Sequence, residues 1–152
     1  MNFKLDSRYR LNLAKGFLGE AQDNLKYQQY RSCVDNCQLS IENSAKAIIV
    51  YYFPLGKTHS PSEGLREILK EQELPNEVKL KIEEIIPIIG RHGFEEHILS
   101  DYGDEKTYTL PWDIFDEEAA KNSLDEAQLV IDKTEEIVNT IDDLFAGNIK
   151  LK

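Results

Sequence analysis

The chain has 152 residues, of which 41% are apolar and 30% are charged, and its formal net charge is −10. This length is sufficient for a hydrophobic core, and we expect residues 1–152 to form one soluble domain. No apolar run approaches the roughly 20 residues that cross a bilayer, and the polar start does not resemble a secretory signal. We therefore expect a cytoplasmic protein that does not contact membranes.

The negative charge is concentrated in the second half of the chain. Residues 1–60 hold eight Lys and Arg against five Asp and Glu, whereas residues 61–152 hold ten against twenty-three. Such a surface does not attract nucleic acid in general, because neutralising phosphates requires clustered Lys and Arg. Any contact with RNA or a nucleotide is therefore expected to be local, in a pocket that contains a few cations such as Arg31, Lys46 and Arg91.

Five helical segments follow from the 3.6-residue spacing of apolar side chains. The first is predicted at residues 8–26 and the second at residues 30–53, where Pro54 and Gly56 end it. Small side chains along the second helix would let a neighbouring helix approach closely. They are Cys33, Cys37, Ser40, Ser44 and Ala47.

The second half of the chain contains the other three predicted helices. Ser60, Pro61 and Glu63 form a capping-box pattern that begins a short helix at residues 61–72. A fourth helix opens at Pro75, and the last occupies residues 116–145. Residues 100–111 predict an ordered loop. The fold class that we expect is all-α, an up-and-down bundle of four long helices plus a short fifth helix.

Two groups of residues have a structural and a functional interpretation. Cys33 and Cys37 lie four apart, but a zinc site needs about four ligands and the chain has no other cysteine, so we predict two buried thiols. Asp101, Asp104 and Glu105 are interpreted as a solvated loop instead of a metal site.

The loops raise two further alternatives. His59 is interpreted as a residue that caps or hydrogen-bonds its own turn. The aromatic residues Tyr102, Tyr108 and Trp112 either pack their loop onto the bundle or form a platform on which bases stack. Packing is the interpretation that we favour at this point.

The seven residues from Arg91 to His97 carry the clearest chemical pattern. They contain Arg91, His92 and His97, two of the three histidines of the chain, just after Pro87 and Gly90 interrupt an apolar helical run. Histidine exchanges protons near neutral pH, and the guanidinium group of arginine suits a phosphate. A catalytic site is therefore expected here, with surface residues paired to neighbouring glutamates as the alternative.

The order of these features resembles the HEPN domain family (higher eukaryotes and prokaryotes nucleotide-binding). Residues 30–34 (YRSCV) are similar to the start of its second helix, and residues 41–48 (IENSAKAI) to the signature of that helix. Residues 56–59 (GKTH) are similar to a Thr-His turn found in relatives. Arg91, His92 and His97 match the chemical motif of the family, an Arg followed by a polar residue and then a His four to six residues beyond the Arg.

The resemblance implies a function and a site. Active relatives are metal-independent endoribonucleases that assemble the site at a homodimer interface and need no cofactor, and many are toxins of toxin–antitoxin pairs. The implied partners are a second copy, RNA or a nucleotide, and a nucleotidyltransferase antitoxin. In one group a tyrosine two residues after the histidine is modified. Here that position is Leu99, and the nearest tyrosine is Tyr102.

The implied chemistry assigns a role to each motif residue. Cleavage uses the 2′-hydroxyl of RNA as nucleophile on the adjacent phosphate, so one group must take its proton and another must protonate the leaving oxygen. His97 is expected to be that base or acid, Arg91 to hold the phosphate, and His92 to be a second proton carrier or an orienting residue. The alternative is a non-catalytic HEPN module that binds a nucleotide or a nucleotidyltransferase.

The spacing of Arg91 and His97 sets a geometric condition. On a regular helix these residues point about 120° apart and share no face. Either Gly93 interrupts the helix, or two subunits each supply one member of the pair across a two-fold axis.

Overall fold

The computed structural model of the chain describes residues 2–54, 60–148 and 151. Within these ranges it contains seven helices and no strand. This architecture confirms the predicted all-α bundle. The predicted turn at His59 lies outside the described residues.

The first two helices form an antiparallel pair, α1 (Phe3–Lys26) and α2 (Tyr30–Ile49). α1 begins earlier than predicted because the side chain of Asn2 accepts a hydrogen bond from the Leu5 N–H, 3.1 Å away. Such an N-cap satisfies one of the free amide groups of the first turn. α2 ends four residues before the predicted boundary.

The next two helices are α3 (Pro61–Glu71) and α4 (Asn76–Arg91). The Ser60 hydroxyl accepts a hydrogen bond from the Glu63 N–H at 3.4 Å, as the capping pattern predicts. α4 continues through Pro87 and stops at Arg91.

The last three helices are α5 (Phe94–Tyr102), α6 (Pro111–Ile114) and α7 (Glu117–Phe145). The loop predicted at residues 100–111 is shorter, because α5 continues through Tyr102. Gly103 then turns the chain with φ +72°, and an added Cβ would lie 2.2 Å from the Thr109 carbonyl oxygen. The loop is closed by Asp104 and Thr109, whose N–H groups each donate to the carbonyl of the other at 2.9 Å.

α2 is the central helix, and it contacts α1 and α7 most extensively. Cys33 and Cys37 are free and buried in the core, which confirms the prediction for both thiols. Small side chains allow the close approach that the sequence predicts. The Ser40 hydroxyl donates to the Ala14 carbonyl at 2.8 Å, and the Ser7 hydroxyl donates to the Ala47 carbonyl at 2.6 Å.

In the part of the chain that the structure describes, no helix combines the length and the apolar character that a membrane span requires.

Candidate active site

The motif spans a break between two helices. Arg91 is the last residue of α4, and the His92 N–H donates to the carbonyls of Ile88 and Ile89 at the end of that helix. Gly93 has an extended conformation and precedes the first turn of α5, where its carbonyl accepts from the His97 N–H at 3.2 Å. Gly93 therefore interrupts the helix, and the two halves of the motif lie on different helices.

His92 is buried in the junction of α4, α5 and α7, with 7% of its surface exposed. Its Nδ1 lies 2.6 Å from Oε1 of Glu96, and its Nε2 lies 2.8 Å from Oε2 of Glu126. A neutral imidazole has one N–H and one acceptor nitrogen, so it can donate to only one of these carboxylates. The doubly protonated ring satisfies both contacts.

The pKa of His92 reflects two opposing causes. Burial alone would lower the pKa, since it disfavours a charged ring. The hydrogen bonds and negative charges of Glu96 and Glu126 outweigh this penalty, and the pKa of His92 is raised. The raised pKa favours the charged form of the ring, which contacts carboxylates on α5 and α7.

Arg91 shares one partner with His92. Its Nη2 lies 3.1 Å from Oε1 of Glu126, the second oxygen of the carboxylate that holds the histidine. The Arg91 side chain remains more than half exposed. The guanidinium group is thus at the surface, with one ion pair to α7.

His97 lies on α5, partly open to solvent, with 42% of its side chain exposed. Its Nε2 lies 3.3 Å from Oδ2 of Asp101, one turn further along α5. Its Nδ1 lies 3.7 Å from Oδ1 of Asp35 on α2, which is ion-pair range but too long for a hydrogen bond. Both ring nitrogens therefore face carboxylates, as in His92, but at longer distances. Nδ1 is buried and has no hydrogen-bond partner among the described residues.

Arg31 completes the group around His97. Its Nη1 lies 3.6 Å from Oδ1 of Asp101 and donates to the Ser100 carbonyl at 2.8 Å. The Ser100 hydroxyl lies within hydrogen-bond range of Asp35 Oδ1, at 3.2 Å. We call Arg31, Asp35, His97 and Asp101 the His97 cluster. It joins the start of α2 to α5.

The His97 cluster has the donor types of a cation site. A ligand atom from each of Asp35, His97 and Asp101 lies within 4.8 Å of the other two. Arg31 already compensates part of this negative charge through Asp101, so a divalent ion would compete with a cation of the chain itself. Asp101 is exposed, as predicted, but it lies in α5, which corrects its interpretation as a loop residue. That the site works without metal stays a prediction.

A cavity of about 590 Å³ adjoins both histidines. Its wall includes His92, His97 and Phe94 on one side and Gln38 and Glu42 of α2 on the other. It offers a space in which a ligand would reach the exposed side of His97.

The aromatic residues of the second half do not pack onto the bundle as we favoured. The exposed fractions are 67% for Tyr102, 92% for Tyr108 and 68% for Trp112. Burial against the core therefore does not explain these rings, and the alternative of a stacking surface is open to them.

Sequence reasoning missed two of the four carboxylates around the histidines. Glu96 and Asp101 each follow a histidine by four residues, a helical spacing that predicts contact. Asp35 and Glu126 lie on other helices, far from the motif in sequence, and no local pattern points to them. Arg31 was expected near a ligand only as one of several cations.

Comparison with known proteins places the chain in a family. The sequence model of the HEPN domain family matches residues 7–143, which is most of the chain. The chain belongs to the HEPN domain family. No curated protein sequence matches it.

The fold of this HEPN chain is similar to a solved structure. The crystal structure of TT1696 from Thermus thermophilus superposes with a TM-score of 0.62 at 18% identity. The match covers 86% of this chain and 97% of that one. At this identity the likeness concerns the fold alone.

Proposed function

We propose that this HEPN protein is a metal-independent endoribonuclease whose proton-transfer residue is His97. The observation that carries the proposal is the contrast in access between the two histidines of the motif. His97 is partly exposed beside a cavity and fixed by carboxylates, whereas His92 is buried with both nitrogens occupied. Of the two rings only that of His97 is partly open to solvent, and a substrate would approach it from the side away from its buried Nδ1.

The reaction is a transfer within RNA. The 2′-oxygen attacks the adjacent phosphorus, the bond from phosphorus to the 5′-oxygen breaks, and a 2′,3′-cyclic phosphate and a 5′-hydroxyl result. The proton of the 2′-hydroxyl goes to a base, and an acid supplies a proton to the 5′-oxygen. Histidine suits either role near neutral pH, and Arg91 would stabilise charge on the phosphate oxygens.

Asp101 and His92 support these groups without touching RNA. Asp101 faces Nε2 of His97 and would orient the imidazole and stabilise its charged form. His92 connects α4 to α5 and α7, so it would hold Arg91 and His97 at a fixed separation. We assign His92 as a positioning residue, in place of the second proton carrier that the motif first suggests.

A homodimer would supply the missing proton carrier. The reaction needs one base and one acid, and each chain offers one accessible histidine in the motif. A two-fold axis that brings two His97 residues into one cleft would provide both. A role as the toxin of a two-gene module, with a nucleotidyltransferase antitoxin, is part of the same proposal.

One observation favours a second candidate function. Arg91 is already paired with Glu126, and the carboxylates Asp35 and Asp101 flank His97. A phosphate would have to compete with these groups. A non-catalytic module that binds a nucleotide or a nucleotidyltransferase is therefore the alternative.

Cleavage by the purified protein in the presence of a chelator tests the proposal. We expect wild-type protein to cut a single-stranded RNA and leave a cyclic phosphate. His97→Ala should lower the rate about 100-fold or more, the usual contribution of a positioned acid or base. Arg91→Ala should also lower it, whereas Arg66→Ala, at an exposed arginine of α3, should not.

Two results would contradict the proposal. Unchanged cleavage by His97→Ala would remove the residue from the reaction. Tight binding of a mononucleotide or a nucleotidyltransferase without any cleavage would favour the second candidate.

A further inference from the structure

A second cleft includes Arg31, a residue that also belongs to the His97 cluster. Its volume is about 420 Å³, and it lies where the turn between α1 and α2 meets α6. Aromatic rings and amide groups form its wall. We call it the Trp112 cleft and define it by Gln28, Gln29, Tyr30, Arg31, Trp112 and Phe115.

Gln28 occupies a backbone position that favours glycine. α1 ends in a Schellman motif, in which the Gln28 N–H donates to the Leu25 carbonyl and the Gln29 N–H donates to the Asn24 carbonyl. Gln28 has φ +60°, a left-handed backbone conformation that residues other than glycine rarely adopt. A glutamine here accepts backbone strain, and its side chain borders the cleft. Strain of this kind is common where a side chain serves a ligand.

Arg31 connects the Trp112 cleft to the His97 cluster. Its Nη1 approaches Asp101, which in turn contacts His97, and Arg31 also lines the cleft. Its Nε is buried, and no hydrogen-bond partner reaches it from the described residues. The cleft and the His97 cluster therefore share this arginine.

We propose that the Trp112 cleft binds an unpaired base of the RNA strand whose phosphate lies at His97. The inference rests on the proposed function and adds a base subsite to it. Trp112 and Tyr30 offer rings on which any base can stack, and the amides of Gln28 and Gln29 offer both donors and acceptors to a base edge. The continuity through Arg31 and Asp101 favours an RNA strand over a separate protein partner.

The single tryptophan of the chain makes the test direct. The probe is a 2′-O-methyl RNA hexamer, which binds but lacks the nucleophile, titrated into the wild-type protein in chelator. We expect it to change the fluorescence of Trp112. An abasic strand of the same length carries the same phosphates and should leave the fluorescence unchanged.

Variants separate the base subsite from the reaction centre. Trp112→Leu should weaken the binding of a labelled hexamer about tenfold, as expected for the loss of one stacked base. Tyr9→Leu, at an exposed ring of α1 outside the cleft, is the matched control and should bind normally. His97→Ala should still bind, because it removes only the proton carrier.

Gln28→Gly distinguishes a ligand role from a structural one. Glycine adopts the left-handed conformation without strain, so the variant should unfold at the same or a higher urea concentration. Weaker hexamer binding in this equally stable protein would support the subsite. Unchanged binding would overturn the role of the glutamine.

The remaining outcomes keep the two proposals apart. Cleavage that depends on His97, with no response of Trp112 to any strand, overturns the subsite and leaves the ribonuclease intact. Base-dependent quenching without cleavage keeps the subsite and overturns the ribonuclease. A fluorescence change that follows protein concentration without RNA would show that a second copy fills the cleft, which also overturns the subsite.

Discussion

His92 and His97 lie five residues apart and both place their ring nitrogens near carboxylates, yet they differ in burial. His92 is enclosed between Glu96 and Glu126 at 2.6 and 2.8 Å, whereas His97 faces Asp101 and Asp35 at 3.3 and 3.7 Å and remains partly exposed. The short buried contacts favour a fixed charge. The longer contacts of His97 leave its ring partly open to solvent. Two histidines of one motif thus differ in their access to water, and the different roles that we propose for them rest on that difference.

The largest expected difference concerns stability. His92→Ala should lower the free energy of unfolding by about 3 kcal/mol, because it leaves Glu96 without this partner and Glu126 with only its exposed pair to Arg91. His97→Ala should lower it by less than about 1 kcal/mol, since exposed ion pairs contribute little. Urea denaturation of both variants measures the two values. Equal losses would remove the distinction between the two histidines.

The pH dependence of stability isolates the charge of His92. The pKa of His92 is raised in the folded state. Its charge therefore stabilises the fold fully below the ordinary histidine pKa of about 6.5, and this stabilisation is lost as pH rises through the folded pKa. The urea midpoint should therefore fall as pH rises above about 6.5. His92→Leu should abolish that fall, and its persistence in the variant would assign it to another group.

A smaller effect is expected from the carboxylate beside His97. Asp101→Asn retains a polar side chain but loses the charge next to Nε2, and we expect cleavage to slow about tenfold. The loss should fall on kcat and leave KM unchanged, because Asp101 would orient the ring without touching RNA. Steady-state kinetics in chelator measures both constants. A loss confined to KM, or an unchanged rate, would contradict this role.

The smallest effect is expected for Arg91, which pairs with Oε1 of Glu126 while His92 contacts Oε2. Arg91→Ala should change the free energy of unfolding by about 0.5 kcal/mol, because its ion pair is mostly exposed. Urea denaturation of Arg91→Ala and His92→Ala side by side compares the exposed and the buried partner of the Glu126 carboxylate. A loss as large as that of His92→Ala would mean that the exposed pair is as important as the buried one.

The helices could be predicted from sequence because their signals are local. The Ser60 cap and the apolar stripes each depend on residues within one or two turns, and a break at Gly93 was one of two alternatives that the spacing of Arg91 and His97 left open. α5 was not among the predicted helices, and the polar residues from Ser100 were assigned to a loop although the helix continues to Tyr102.

The candidate site was less accessible to sequence reasoning. Arg91, His92 and His97 were selected by residue type, and Glu96 and Asp101 follow from helical spacing. The burial of His92 depends on Glu126, and the environment of His97 depends on Asp35, and both partners come from distant segments. The different roles that we propose for the two histidines therefore rest on tertiary contacts. That residues 1–152 form one domain stays a prediction.

The serine hydroxyls between α1 and α2 limit how this protein can move. Ser7 and Ser40 bond to carbonyls of the opposite helix in two different turns of the contact. Sliding one helix along the other would break both buried hydrogen bonds at once. The α1–α2 pair should therefore act as a rigid frame, and any widening of the Trp112 cleft for a ligand should come from displacement of α6 and the loop before it.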